Sequence, residues 1–252
     1  MAQSAHPAGT STGPHAGARL RFHETADETS LVAAAGAAIL EAARTDIAIH
    51  ARASILLSGG STPVPVYRSI ATAVGQMQGL TIGLVDDRWV PPESPGNNAA
   101  MIRDTLLAGA ADRVRFRPLV DWARGRAHSV IAANEALQSM EESPSLIVFG
   151  MGDDGHTASL FPGSPQLDAA LASAQAYVAL DADGCPGAGQ WPQRITLTPH
   201  GWQHARRRML LIRGAHKRTV LERAGREGDP RVLPVAAAIA VGDAPLEVYW
   251  CP

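Results

Sequence analysis

Residues 146–163 read LIVFGMGDDGHTASLFPG, and this stretch sets the pattern from which the fold is predicted. Its first four residues, Leu146–Phe149, form a continuous apolar run, which is typical of a strand buried on both faces of a sheet. A glycine-rich loop with two aspartates and His156 follows the run directly. Such strand–loop units build α/β folds, whose ligands bind at the carboxyl ends of parallel strands.

The same arrangement recurs on the N-terminal side of this stretch. The apolar run Ser54–Leu57 ends in SGGSTP at 58–63, and Leu80–Val85 ends in Asp86-Asp87-Arg88. We expect these polar clusters to converge on one crevice, because the carboxyl ends of parallel strands share one edge of a sheet. Further strands are predicted at Ala176–Leu180, Arg194–Thr198, Met209–Ile212 and Leu246–Trp250, and helices at Thr29–Arg44, from Pro63, and at Asn98–Leu107, Ala127–Met140 and Ala215–Ala224.

These elements predict an α/β fold class. We expect a mostly parallel, Rossmann-like sheet flanked by helices, with a small additional C-terminal α/β portion. Residues 19–252 are interpreted as a single domain. Residues 1–18, rich in Ala, Gly, Ser, Thr, Pro and His, are interpreted as a disordered tail.

The composition excludes several classes of protein. Of the 252 residues, 46% are hydrophobic and 18% are charged, which suits a large core. Apolar stretches without charge, such as Leu31–Leu40, are shorter than the ~20 residues that span a bilayer. The net charge of -2 argues against nucleic acid as a partner. Cys185 and Cys251 cannot form a disulfide framework, so we expect a cytoplasmic protein without a membrane partner.

The cluster Ser58, Gly59, Gly60, Ser61 and Thr62 is a candidate phosphate site. Glycines let backbone N–H groups approach an anion, hydroxyls add donors, and the following helix offers its positive end. The loop lacks the Lys of a nucleotide P-loop, so a triphosphate is not implied. An ordinary strand-to-helix turn is the alternative interpretation.

The cluster Asp86-Asp87-Arg88 offers a cation beside two carboxylates. Arg88 is a candidate clamp for an oxyanion or a phosphate, and the acids are candidates for holding sugar hydroxyls or orienting Arg88. A structural ion pair at a strand end is the alternative. Asn97 and Asn98 are interpreted as helix caps.

His156 is the candidate general base. An imidazole at the mouth of a glycine-rich loop beside carboxylates is suited to take a proton from water near neutral pH. The loop also contains a formal GxGxxG, and Asp181 lies near the acidic position of a dinucleotide site. Asp153 and Asp154 inside the loop would repel a pyrophosphate, which disfavours that alternative. His200 and His204 are interpreted as lying on an ordinary helix face rather than binding a metal.

Two further cations are candidates for the crevice. All but one of the 22 basic residues are Arg, and the exception is Lys217, in the first turn of a predicted helix. A phosphate there would meet an ammonium group and helix N–H groups together. Arg194 is the second candidate, with a strand-edge surface cation as the alternative. The triplet Arg206-Arg207-Arg208 is interpreted as a solvated face.

Together these segments resemble the 6-phosphogluconolactonase family, which is related to the glucosamine-6-phosphate deaminases. The resemblance runs from about Leu31 to Trp250, and HTASLFPG favours the lactonases over the deaminases. The chain departs from the family's usual residues at Asp87 for Glu, Asn97 for Ser and Cys251 for Asp. The motifs that carry it are SGGSTP at 58–63, DDRWVP at 86–91, GMGDDGHTASLFPG at 150–163, RITLT at 194–198 and GAHK at 214–217.

The resemblance implies hydrolysis of 6-phospho-D-glucono-1,5-lactone in the oxidative pentose phosphate pathway, with no metal or organic cofactor and no obligate protein partner. It places Lys217 on the family's phosphate-binding Lys. On this hypothesis His156 deprotonates the attacking water, oriented by Asp154 or Asp153. Alternatives are a deaminase or isomerase, a non-catalytic sugar-phosphate-binding protein, and a nicotinamide enzyme. The candidate site comprises Asp86, Arg88, Asp154 and His156 for catalysis and Ser58, Gly59, Gly60, Ser61, Thr62, Arg194 and Lys217 for the phosphate.

Overall fold

The computed structural model describes residues 19–109, 113–138, 143–242 and 244–252. The predicted tail, residues 1–18, lies outside the described residues. Within the described part of the chain, no helix combines the length and the hydrophobicity that crossing a membrane requires.

The larger of two sheets is a seven-stranded parallel sheet. Its spatial order is β1-β10-β9-β6-β2-β3-β5, and every neighbouring pair is parallel. The central strands are buried on both faces, which explains their continuous apolar runs. The strands are β1 (Leu20–Glu24), β2 (Ala53–Leu57), β3 (Leu80–Leu84), β5 (Arg115–Phe116), β6 (Leu146–Gly150), β9 (Arg208–Arg213) and β10 (Leu246–Cys251).

A small antiparallel sheet stands beside the end of β3. Its order is β4-β8-β7, from β4 (Asp86–Arg88), β7 (Tyr177–Asp181) and β8 (Gln193–Leu197). Two hydrogen bonds join the sheets: Leu197 N–H donates to Val85 O at 2.8 Å, and the Tyr177 hydroxyl donates to Leu84 O at 2.7 Å. The chain therefore turns from the large sheet into the small one where the Asp86–Arg88 cluster lies.

Helices flank the sheets, and three of them begin where polar clusters end. They are α2 at Pro63, α3 at Asn98 and α7 at Ala215, which follows Gly214 with a φ of 87°. The helices are α1 (Glu28–His50), α2 (Pro63–Val74), α3 (Asn98–Thr105), α4 (Arg126–Gln138), α5 (Leu167–Leu171), α6 (Pro199–Trp202), α7 (Ala215–Glu227) and α8 (Val235–Ala240).

The fold class is confirmed, but the C-terminal part differs from the prediction. β9 and β10 are strands of the seven-stranded sheet and do not form a separate portion. β9 is buried on both faces and pairs with β6. The additional small portion is instead the antiparallel sheet in mid-chain. The prediction that Arg206–Arg208 form a solvated face is wrong for Arg208, which is buried and donates to the carbonyl of Ala238.

Candidate active site

One polar cavity of about 270 Å³ gathers the four predicted clusters. It opens at the carboxyl ends of β2 and β6, as the strand-end argument predicts. A larger cavity of about 750 Å³ beside α4 is mainly apolar, and none of the candidate residues lines it. The candidates that line the polar cavity are Ser58, Gly59, Gly60, Ser61, Thr62, Asp86, Arg88, His156, Arg194 and Lys217.

The turn after β2 has the backbone geometry of an anion-binding loop. Gly60 has a φ of 109°, which favours glycine, and a Cβ on Gly59 would lie 2.1 Å from Asn98 Oδ1. Thr62 makes no side-chain cap for α2. Pro63 and Pro65 have no N–H, so Val64 is the one backbone donor among the first three residues of this helix. The Ser58 hydroxyl is buried without a hydrogen-bond partner among the described residues. The turn thus retains donors for a ligand.

The second cluster is ordered by hydrogen bonds to α3. The Asp87 carboxylate accepts the N–H groups of Asn98 and Ala99 at the start of that helix. Burial raises the pKa of Asp87 to about 7 against the opposing effect of these N–H groups. Arg88 Nη1 donates to Gly96 O at 2.9 Å and to Asn98 Oδ1 at 3.0 Å. Arg88 is therefore held by α3 and its entry loop.

Asp86 faces a different set of partners. Its Oδ2 accepts a hydrogen bond from the Ser159 hydroxyl at 2.5 Å and lies 3.8 Å from Arg194 Nη1. Asp86 is buried, and its carboxylate contacts Ser159 and Arg194. The predicted alternative in which an acid orients the Arg88 guanidinium therefore does not describe Asp86, which instead belongs to a network with Ser159 and Arg194.

His156 and Asp154 form a close pair at the cavity. His156 Nδ1 lies 2.6 Å from Asp154 Oδ1, which also accepts the His156 backbone N–H. Partial burial acts to raise the pKa of Asp154, but the hydrogen bond and the charge of His156 outweigh it and hold that pKa below its ordinary value. Of the two predicted orienting acids, Asp154 contacts the imidazole, whereas the exposed Asp153 lies 3.8 Å from Lys217 Nζ.

The loop after β6 does not have the geometry of a dinucleotide motif. Turns and a bridge between Thr157 and Leu160 follow His156, and α5 begins only at Leu167. Asp181 forms a bidentate ion pair with Arg126, with N···O distances of 2.6 and 3.1 Å. A GxGxxG nucleotide site requires a helix directly after the loop and an acidic residue for the ribose. Here the helix begins later, and Asp181 is engaged by Arg126.

The two remaining cations differ in their surroundings. Lys217 Nζ donates to Met151 O at 2.7 Å, and its side chain is 26% exposed. The Arg194 side chain is only 5% exposed, so the interpretation as a surface cation is wrong. Burial lowers the pKa of Arg194 to about 10, with the charge of Asp86 acting in the opposite direction.

Several residues of the site are missing from the prediction. Asn98 lines the cavity and contacts Arg88, although the sequence indicates only a helix cap. Ser159 lies in a recognised motif, but its contact with Asp86 joins residues 73 positions apart. Gly187 also lines the cavity, from a loop whose Gly and Pro content indicates only a turn. The prediction that Asn97 caps α3 is confirmed, since its side chain accepts the Ala100 N–H. The predicted shared helix face for His200 and His204 is wrong, because α6 ends at Trp202.

The fold and the cavity define a class: an α/β protein whose polar cavity places His156, paired with Asp154, beside a glycine-rich turn. Residues 26–250 match the family described as glucosamine-6-phosphate isomerases/6-phosphogluconolactonase. The chain belongs to this family.

Its relatives favour the lactonase branch. The chain is 46% identical over 206 residues to a 6-phosphogluconolactonase of Xylella fastidiosa, which covers 82% of this chain and 85% of the relative. It is 35% identical to a 6-phosphogluconolactonase of Pseudomonas putida, over 93% and 94% of the two chains. A crystal structure of a 6-phosphogluconolactonase from Shewanella baltica matches with a TM-score of 0.83 and 27% identity, covering 92% of this chain and 97% of that one.

Proposed function

We propose that the protein hydrolyses 6-phospho-D-glucono-1,5-lactone to 6-phospho-D-gluconate, the lactonase step of the oxidative pentose phosphate pathway. The observation that carries the proposal is that His156, whose Nδ1 is held by Asp154, lines one cavity with the Ser58–Thr62 turn and Lys217. A sugar lactone with a distant phosphate needs a base at one end and an anion site at the other. The names of the relatives agree with this substrate.

The phosphate end of the substrate meets the turn and Lys217. The glycines at 59 and 60 let backbone N–H groups approach the phosphate, and Val64 is the one N–H donor among the first three residues of α2. Lys217 contributes an ammonium group from the first turn of α7. Charge-assisted hydrogen bonds of this kind are roughly twice as strong as neutral ones. Arg88 adds positive potential to the same cavity, which favours the phosphate and the developing oxyanion alike.

The lactone end meets His156. Its Nδ1 is engaged by Asp154, so Nε2 is the nitrogen that accepts a proton from water. The water oxygen then bonds to the lactone carbonyl carbon, and negative charge builds on the carbonyl oxygen. Collapse of this tetrahedral species breaks the bond to the ring oxygen, which takes the proton back from His156. The product is the open-chain acid, and no covalent enzyme intermediate is needed.

Acid release in a pH-stat with freshly generated 6-phosphogluconolactone tests the proposal. We expect His156→Ala to lower kcat by roughly 10²–10⁴-fold, the usual contribution of a general base, with little change in KM. His204→Ala is the matched control, because His204 is exposed and lies outside the cavity. Wild-type protein with no hydrolysis above the spontaneous rate would exclude the function.

A kcat for His156→Ala within twofold of wild type would instead exclude the assignment of the base. Ammonia release from glucosamine 6-phosphate would identify the deaminase alternative.

A further inference from the structure

We propose that Arg194 is a positioning residue that holds His156 and Asp154 in place, rather than a ligand of the phosphate. The inference rests on the proposed role of His156 as a base. It revises the expectation from the sequence, in which Arg194 is one of the phosphate-binding cations.

The guanidinium of Arg194 is engaged by the protein on all three nitrogens. Nε donates to Trp191 O at 2.6 Å, and Nη2 donates to Ala188 O at 2.8 Å. Nη1 donates to the Ser159 hydroxyl at 3.4 Å, with Asp86 Oδ2 at 3.8 Å. A cation that is 95% buried and bonded in this way has little freedom to follow a substrate. Its hydrogen bonds instead fix the loop that contains Ala188 and Trp191.

That loop packs closely against Asp154 and His156. It contains a single 3₁₀ turn, Pro186–Ala188, whose central residue is Gly187. A Cβ built on Gly187 would lie 2.4 Å from Asp154 Oδ2 and 2.9 Å from His156 Nδ1. Backbone this close leaves the carboxylate and the imidazole no room to rotate toward the loop. Arg194 donates a hydrogen bond to the carbonyl of Ala188, the next residue. It therefore fixes the backbone that limits the rotation of Asp154 and His156.

A second path of contacts runs from Arg194 to the imidazole through an aromatic ring. The Arg194 guanidinium carbon lies 5.1 Å from the centre of the Phe161 ring. The Phe161 ring in turn packs against His156, with ring centres 4.5 Å apart. The guanidinium thus supports the His156 ring through Phe161, and it supports Asp154 through the backbone at Gly187. Both contacts restrict the orientation of the base, and neither involves the phosphate turn.

The comparison with Lys217 supports the distinction. The Lys217 side chain is about five times more exposed than that of Arg194, and its Nζ donates a hydrogen bond to the carbonyl of Met151. A phosphate ligand needs donors that can turn toward the ligand, and Lys217 meets this condition. Arg194 instead has a planar guanidinium group that is fixed by hydrogen bonds to two backbone carbonyls, which suits a structural role.

Two variants and two substrates test the inference. Arg194→Lys removes the fork while keeping the charge, and Gly187→Ala adds a methyl group against the pair while leaving Arg194 intact. We expect each variant to lose kcat/KM by a similar factor, roughly 10–100-fold, on 6-phosphogluconolactone and on D-glucono-1,5-lactone, mainly through kcat. The pH at which the acid limb of the kcat/KM profile is half-maximal should also move. Gln190→Ala, an exposed position in the same loop, is the matched control.

A loss confined to the phosphorylated lactone, expressed as a higher KM, would overturn the inference and restore Arg194 as a phosphate ligand. If Arg194→Lys does not fold, Arg194→Gln replaces it on both lactones, and Gly187→Ala tests only whether the loop backbone positions the pair. If wild-type protein hydrolyses neither lactone, the proposed function fails and the ¹⁵N signals of the His156 ring decide the inference. Ring signals displaced in both variants but not in Gln190→Ala support positioning, and unchanged signals contradict it.

Discussion

At the scale of single residues, burial separates two cations that the sequence treats alike. Arg194 and Lys217 both line the cavity, and both are predicted there as cations, Arg194 from the start of a strand and Lys217 from the first turn of a helix. Lys217 reaches the cavity from the helix that follows β9 of the parallel sheet, whereas Arg194 reaches it from β8 of the small antiparallel sheet, where it pairs with Arg88 of β4. The sequence does not assign their roles, since exposure depends on the loop that folds over Arg194. The lone Lys in an Arg-rich chain is the one signal that distinguishes Lys217.

Replacing Lys217 with Ala should weaken binding of the phosphorylated substrate selectively. Hydrogen bonds to charged groups contribute about 1.5–3 kcal/mol, so we expect KM for 6-phosphogluconolactone to rise about 10- to 100-fold with kcat nearly unchanged. D-glucono-1,5-lactone should be hydrolysed as by wild type. Lys217→Arg, which keeps the charge, should recover part of the lost affinity. Equal losses of Lys217→Ala on both lactones would contradict the phosphate role.

At the scale of elements, the site is built where helices begin. α3 places Asn98 in the cavity and holds Arg88, so the entry to this helix shapes the site. Its first N–H groups are satisfied by Asp87, and Asn97 accepts the N–H of Ala100 at 2.7 Å. Each cap satisfies donors that no residue of the helix itself can reach.

Asn97→Ala should lower the free energy of unfolding by about 1 kcal/mol, the usual cost of losing a side-chain cap. The loss leaves the Ala100 N–H without its acceptor in a partly buried position. Urea denaturation measures the effect, and Asn97→Ser, which keeps a capping oxygen, should lose less than half as much. An unchanged unfolding midpoint for Asn97→Ala would show that the cap does not stabilise α3.

The elements that the sequence predicts well are those with a strong apolar signal. The strands β2, β3, β6 and β9 are mainly apolar, and the structure places each end within one residue of its predicted position. β1 and β4 are missed because β1 is a partly exposed edge strand and β4 has three polar residues. α8 is missed because a short helix that is apolar on all sides has no helical periodicity to detect.

At the scale of the whole molecule, the two sheets are interleaved along the chain. The chain passes from the large sheet to the small one at β4 and again at β7, and returns to the large sheet each time. The N-terminal strand β1 pairs with the C-terminal strand β10, so the two ends of the described chain share one sheet edge. One hydrophobic cluster includes Leu31 of α1, Ile195 of β8 and Val248 of β10. Among the described residues, the strands of each sheet are separated along the chain by strands of the other sheet.

We therefore expect residues 19–252 to unfold as one cooperative unit, although chains longer than about 150 residues often populate intermediates. The two cysteines are suitable probes, since both are buried as free thiols and lie in different regions. Cys185 belongs to the loop over the His–Asp pair, whereas Cys251 ends β10 in the large sheet. The variants Cys185→Ala and Cys251→Ala each keep one thiol, which pulsed labelling follows across a urea titration. We expect the labelling midpoints of the two variants to be the same. Each midpoint should also coincide with the loss of the circular dichroism signal. Distinct midpoints that persist after correction for each variant's own stability would show that the small sheet and its loop open independently, and the single-domain assignment would then be wrong.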